Sequence, residues 1–547
     1  MKPLCLVFLA LLSCALIAQA APAPLPSVDL VLVISLDQFP YEYMTRFRPH
    51  FTGGLAMLLD RGAVFTNAVY KHAQCNTGPG HAVILSGSYG AENGIVSNNW
   101  YDRALGRTVY CVEDESVSML GGKGDGRSPA RFEASTFGDM LRLHTGFESR
   151  VISIANKDRA AILMAGRMPT GVYWMADSAF VSSTYYLNAL PVWLKEFNGS
   201  GMINSYFGAL WNQSLPETAF SGMDQDDAPY EESRDGLGRT FPHRITGTDR
   251  SHLTSSYYSA LWTSPYGVML PAEAARRAVL GERLGKRGVT DLLCIGFSTT
   301  DYVGHAYGPH SREILEIAVA VDRTLGEFFS FIDSTVGLQR CIIALTSDHG
   351  VSPIPEYLKA HVPGASAGRI PGDLVRNTAE ASLTTVFGRP PAPSWVEAVV
   401  ERNVYLRRTA LQKKNISLSR AAAIVAEKLR QLPGVAHAWN LLDLSGSDGT
   451  GLTERVRLSY RPDRCGEVFY MLKPFYLEGG HSGTSHGDPY DYNAHVPLIL
   501  MGVGIRQGVY DQDASPADLA PTLSALLGVE FPSGRTGMVL REALDRK

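Results

Sequence analysis

Seven residues between positions 37 and 486 are of the types that two zinc ions and one hydroxyl nucleophile require: Asp37, Thr77, Asp301, His305, Asp348, His349 and His486. Carboxylate and imidazole are the usual ligands at catalytic zinc sites that keep a position open for water or substrate. In an open parallel sheet, ligands bind outside the carboxyl ends of the strands, so acidic and His residues that follow strand-like runs converge on one crevice. Asp37 closes LVLVISLD, and Asp348 with His349 closes CIIALTSDH. Asp301 and His305 follow DLLCIGFSTT, and their spacing of four puts both on one face if that loop makes a helical turn. Each piece alone is common, since a strand-end Asp is more often a turn residue. Their joint order predicts a metallohydrolase.

The hydroxyl comes from CNTGPGHAVILSG, Cys75 to Gly87. Pro79 lies near the start of a helix expected from about Gly78 to Gly80, which places Thr77 at its N-terminus, where unpaired backbone N–H groups and the helix dipole favour an anion. Alone, the residue reads more readily as an N-cap. As a nucleophile it needs its proton removed, and coordination to zinc lowers its pKa as it does for water. Two zincs flanking the reacting group suit in-line phosphoryl transfer.

The elements that must position these residues follow a regular rhythm. Strand-like runs at Val28 to Leu36, Arg150 to Ala155, Asp291 to Phe297, Arg340 to Thr346 and Val496 to Met501 alternate with helical patterns at Gly53 to Arg61, Phe137 to Thr145, Ser311 to Ser334 and Ser515 to Leu527. Near-continuous Val/Ile/Leu strands between helices predict an α/β fold, a three-layer α/β/α sandwich with a mostly parallel central sheet. Two segments break the rhythm: about 168–267, rich in Tyr, Trp, Ser, Asn and Pro, and about 362–464, with a helix expected at Ser419 to Gln431. Both read as insertions that cap the catalytic edge of one domain spanning 28–547.

At 547 residues, 45% hydrophobic and 19% charged, the chain can bury a large core. With a net charge of −4 and no long Lys/Arg block, it offers no footprint for a polyanion, so no nucleic acid partner is expected. Lys2, the apolar run from Leu4 to Ile17 and A-Q-A at Ala18 to Ala20 read as a signal peptide over 1–20, which predicts a periplasmic or secreted protein. LLSC, ending at Cys14, also resembles a bacterial lipoprotein box, although cleavage there cuts the apolar run short. No other stretch is long enough for a stable membrane span. Of the remaining cysteines, Cys294 and Cys341 sit in strand-like runs and read as buried free thiols, whereas Cys75 with Cys111 is a candidate bridge that spacing alone does not establish. Three N-x-S triplets, beginning at Asn198, Asn212 and Asn415, match the glycosylation acceptor pattern, which is short enough to arise by chance.

Together these motifs resemble the alkaline phosphatase superfamily, specifically its threonine-nucleophile branch, the PafA-type phosphate monoesterases and their nucleotide pyrophosphatase/phosphodiesterase relatives. The likeness runs from about Leu32 to DLAPTLSALLGVEFPSGRTG, roughly Asp518 to Gly537, and leaves out the two inserted segments. It implies two Zn2+ as cofactors, one on Asp37, Thr77, Asp348 and His349, the other on Asp301, His305 and His486. His481 competes with His486, which is preferred because the family has T-x-H-G before its H-V-P-L strand. By the same resemblance Thr77 carries a phosphothreonine, which a water held by the second zinc hydrolyses.

Lys157 and Arg159, in ISIANKDRAAILMAGR, resemble the Lys-x-Arg pair of the monoesterase branch, and Asn98, in GIVSNNWYD, matches the asparagine that donates to phosphate. A monoester dianion carries more charge on its non-bridging oxygens than a diester, so cationic donors there favour monoesters. The diesterase relatives lack that pair. A sulfatase is disfavoured, because its C/S-x-P-x-R signature needs an arginine where this chain has G-P-G-H, and no magnesium is assigned. The resemblance therefore implies an alkaline phosphatase acting on small-molecule phosphate monoesters, with alkaline activity, broad leaving-group tolerance and inhibition by phosphate. A monomer is the expected state. The alternatives are a phosphodiesterase using the same metals and a non-catalytic exported binding protein.

Overall fold

The structure is a computed structural model that describes residues 27–444 and 451–545. The expected signal peptide, with Cys14, lies outside the described residues. Ten strands form the main sheet: β1 (Leu30–Leu36), β2 (Ala63–Phe65), β3 (Met119–Leu120), β4 (Val151–Ala155), β5 (Gly171–Ala176), β6 (Ala179–Ser183), β7 (Asp291–Phe297), β8 (Cys341–Ser347) and, after a second sheet, β13 (Leu498–Gly502) and β14 (Gly508–Tyr510). Their order is β14-β2-β13-β8-β1-β7-β4-β5-β6-β3. The central run β8-β1-β7-β4-β5 is parallel throughout, whereas β13 joins it antiparallel and β6 folds back antiparallel on β5.

Strand β1 shows why the centre reads as a continuous apolar run. All seven of its residues are buried, and alternate side chains enter opposite layers because successive strand residues point to opposite faces. Leu30, Leu32, Ile34 and Leu36 pack with Leu55 and Leu58 of the helix Gly54–Arg61, Val268 of α3 (Pro265–Gly281) and Phe328 of α5 (Arg312–Thr335). Val31 and Val33 pack with Ile84 and Leu85 of α1 (Thr77–Ser86), Met164 of α2 (Asp158–Ala165) and Leu523 of the helix Leu519–Leu527. The result is the α/β/α sandwich expected, with helices on both faces.

The inserted segments differ from expectation in their edges. Residues 171–183, inside the segment read as foreign from 168, are strands β5 and β6 of the main sheet. Its aromatic content is the side-chain bias of a strand: Tyr173 and Trp174 are buried in opposite layers. The second segment carries a separate antiparallel sheet of β9 (Val396–Val400), β10 (Asn403–Leu406), β11 (Val435–Asn440) and β12 (Val468–Leu472) in the order β9-β10-β12-β11, so its last strand falls beyond the composition shift near 464. Val375, Leu383, Val425 and Leu429 of two helices fill a core of its own against Trp395, Tyr470 and Leu472.

All five described cysteines are buried free thiols, so the Cys75–Cys111 bridge does not form. No helix among the described residues is long and apolar enough to cross a membrane.

Candidate metal centre and its hydroxyl

Four adjacent parallel strands end at one place. Asp348 and His349 follow β8, Asp37 follows β1, Asp301 and His305 follow β7, and Lys157 and Arg159 follow β4, in the spatial order β8-β1-β7-β4. The loop after β7 winds directly into α4 (Thr299–Tyr307), which sets Asp301 and His305 on one face one turn apart. His486 arrives from the loop before β13. His481 is exposed and outside the cluster.

The ligand-type atoms form two groups, each within 4.8 Å: Asp301, His305 and His486, and Asp37, Asp301 and His349. Asp348 lies at the edge of the second, its Oδ2 3.3 Å from His349 Nε2 and 3.1 Å from His81 Nδ1. Each of the three imidazoles bonds a backbone carbonyl through Nδ1: His305 to Thr484 O at 2.8 Å, His486 to Cys75 O at 2.9 Å and His349 to Gly350 O at 2.9 Å. That bond fixes the tautomer and turns the Nε2 lone pair inward, the arrangement metal-bound histidines use. Burial, followed by the neighbouring His349 and His305 rings, holds His486 well below its ordinary range, so it stays neutral.

The imidazoles are well oriented, whereas Asp37 is poorly compensated. Both Asp37 oxygens and Asp348 Oδ2 are buried without a well-directed hydrogen bond. Asp37 is pushed up to about 7 by burial and then by the Asp348 carboxylate, with Lys157 pulling it back. Lys157 Nζ lies 2.8 Å from Asp37 Oδ2 and 2.5 Å from Asp301 Oδ2, one cation between two anions. Three buried carboxylates and three inward-facing imidazoles of this kind are a donor set that divalent cations fit.

Thr77 stands at the rim of this cluster as the first residue of α1, not as its cap. Asn76 precedes the helix without a side-chain capping bond, and the Gly78 N–H is taken by Asn98 Oδ1 at 2.7 Å. The Thr77 hydroxyl is thereby left to the site, with Oγ1 3.3 Å from His349 Nε2 and 3.2 Å from Arg159 Nη2. Asn98 also lines the cleft, and with its Oδ1 on the helix its remaining polar group is the Nδ2 donor. Arg159 receives support from Tyr110 Oη at 3.2 Å, but no carboxylate among the described residues lies within 4 Å of its guanidinium. A cleft of about 370 Å³ opens here, lined by Thr77, Asn98, Arg159, Asp301, His305 and His486.

Sequence reasoning did not find three neighbours of the site. His81, one turn along α1 from Thr77, bridges Thr77 O at 2.9 Å and Ser35 Oγ at 3.0 Å beneath Asp348; its i+4 spacing from Thr77 was the available clue. Gln38, at φ +58, sends its backbone N–H to Asp348 Oδ1 and its Nε2 to Asp301 Oδ1. Glu401 belongs to the second sheet and reaches the rim of the cleft. Gly80 sets how closely α1 approaches β8, because a Cβ there runs into the Asp348 carbonyl oxygen. Gly80→Ala is expected to cost about 1–3 kcal/mol in a denaturation measurement and to lower kcat/KM roughly tenfold to a hundredfold by moving Thr77 from Asp348.

The type I phosphodiesterase / nucleotide pyrophosphatase family matches residues 31–447. The chain is 31% identical to alkaline phosphatase PhoV of Synechococcus elongatus over 538 residues, covering 96% of each protein. It is 32% identical to alkaline phosphatase PafA of Elizabethkingia meningoseptica over 533 residues, covering 95% of each. The crystal structure of wild-type PafA superposes with a TM-score of 0.89 at 31% identity, over 95% of this chain and 100% of that one.

Proposed function

The chain belongs to the type I phosphodiesterase / nucleotide pyrophosphatase family and, within it, resembles the PafA-type alkaline phosphatases along nearly its whole length; from that premise we propose that it is a di-zinc phosphate monoesterase working through a phosphothreonine at Thr77. The observation that carries this reading is Arg159, a guanidinium with no carboxylate partner among the described residues, held 3.2 Å from the hydroxyl that would attack. An anion that displaces this direct bond meets the cationic donor and the nucleophile together. A monoester dianion profits from that more than a diester.

Asp37, Thr77, Asp348 and His349 would hold one zinc, and Asp301, His305 and His486 the other. When bound, the metals supply Lewis acidity that lowers the pKa of the threonine hydroxyl and stabilises the departing oxygen. Thr77 Oγ attacks phosphorus as the ester P–O bond breaks and the alcohol leaves. Water then attacks the phosphothreonine, releasing phosphate and restoring the hydroxyl. Arg159 and Asn98 Nδ2 hold the non-bridging oxygens through both steps. Lys157, which lies between Asp37 and Asp301, would join Arg159 and Asn98 on the phosphoryl oxygens once those carboxylates are taken by zinc. Small phosphate monoesters are the substrate class, and the protein works as an exported enzyme.

The test compares a monoester and a diester with the same aryl leaving group. Preference for the monoester is expected, and Lys157→Ala or Arg159→Ala should each lower kcat/KM for the monoester by about 10²–10³ while changing the diester far less, because each removes one preorganised donor or counter-charge. A preference for the diester, with both variants harmless to it, would make the chain a phosphodiesterase.

A further inference from the structure

The second sheet reaches the catalytic cleft through a single turn. Strands β9 and β10 pair Val400 with Asn403, leaving Glu401 and Arg402 as the two turn residues. Both take left-handed backbone angles, φ +47 and +67. Two-residue hairpins of this kind favour Asn-Gly, Asp-Gly or Gly-Gly, and a longer side chain in that conformation is strained. Strain that persists in a turn facing a cleft calls for a compensating role, and the contacts of Glu401 supply one.

Its carboxylate accepts from three side chains. Oε2 takes Asn76 Nδ2 at 2.9 Å and Ser97 Oγ at 2.8 Å, and Oε1 takes Asn99 Nδ2 at 3.0 Å. Its carbonyl oxygen takes Gln74 Nε2 at 2.7 Å. Asn76 precedes Thr77, and Ser97 and Asn99 stand on either side of Asn98. One carboxylate thus ties the residue before the nucleophile to both neighbours of the asparagine that faces the phosphoryl oxygens. Arg402 anchors the turn from the other side through Glu478 Oε2 at 2.8 Å and Asp488 Oδ2 at 3.5 Å.

The geometry points to Glu401 as a positioning residue: the second sheet holds Thr77 and Asn98 in register with each other through this carboxylate. This inference rests on the roles proposed above for Thr77 and Asn98. Glu401 touches none of the metal-type ligands, so its influence should fall on attack and on phosphoryl binding while metal content stays unchanged.

Strain separates this role from a merely structural one. Glu401→Gly removes the carboxylate and relieves the left-handed backbone, so the melting temperature should hold or rise while kcat/KM for an aryl phosphate falls about tenfold to a hundredfold and vanadate inhibition weakens in parallel. Glu401→Gln keeps the side chain's length and one carbonyl acceptor, and should recover part of the loss. Zinc content, measured on the same preparations, should match the wild type. Unchanged kcat/KM in Glu401→Gly, or a loss matched by a lower melting temperature with no recovery in Glu401→Gln, overturns the inference. If Thr77→Ala keeps turnover, the reading of the site itself fails; if Thr77→Ala is inert and Glu401→Gly is fully active, only the positioning role fails.

Discussion

Thr77→Ala should lose at least about four orders of magnitude in kcat for phosphate monoesters, the scale seen when a covalent nucleophile is removed and only binding and electrostatic stabilisation remain. Stability should change by no more than about 1 kcal/mol, because alanine is the better helix former and the hydroxyl caps no backbone N–H in α1. A capping role predicts the opposite pattern: a loss of about 1 kcal/mol with turnover intact. Thr77→Ser keeps a hydroxyl on the same carbon and should stay within about tenfold of the wild type, with freer rotation about χ1 as its main cost. Steady-state kinetics beside thermal melts distinguish the two readings, and mass spectrometry of acid-quenched enzyme should find the phosphoryl group on the Thr77 peptide.

Removing metal should have the next largest effect. Chelation is expected to lower activity by at least about a thousandfold, through loss of several kcal/mol of charge stabilisation at the attacking and departing oxygens. Zinc should restore it. Stability should fall as well, because a cation bound only by the folded state stabilises it by about 4 kcal/mol when present at a thousand times its Kd. The physical source lies in the carboxylates: Asp37, Asp301 and Asp348 are buried within one cluster, where the Lys157 ammonium lies between Asp37 and Asp301. Calorimetry of the chelated and zinc-restored protein measures the difference directly. Equal activity before and after complete chelation would remove metals from the account.

What could be read beforehand follows from which interactions are local. Asp37, Asp301, Asp348 and His349 announce themselves because each follows a strand buried on both faces, whose unbroken apolar run needs no partner to be recognised. His486 was reachable only through its T-x-H-G surroundings, since it comes from a loop without periodicity. The edge strands were less legible. Ala63–Phe65 has three residues, too few to show a pattern, and Gly171–Ala176 was hidden because aromatic strand residues look like the composition of an insertion. Gln38 and Glu401 were beyond reach, because their roles depend on left-handed backbone angles that no propensity favours for Gln or Glu. In the fold His486, not the exposed His481, joins Asp301 and His305 in one ligand group, with its Nδ1 held by the Cys75 carbonyl just ahead of Thr77.

The most direct test is anomalous scattering at the zinc edge from crystals of the wild-type enzyme grown with vanadate. Two zinc peaks about 4 Å apart are expected, one against Asp37, Thr77, Asp348 and His349 and the other against Asp301, His305 and His486, with vanadate oxygens on Arg159 and Asn98. A single peak, metal bound away from these side chains, or vanadate seated out of reach of Thr77 would contradict the account.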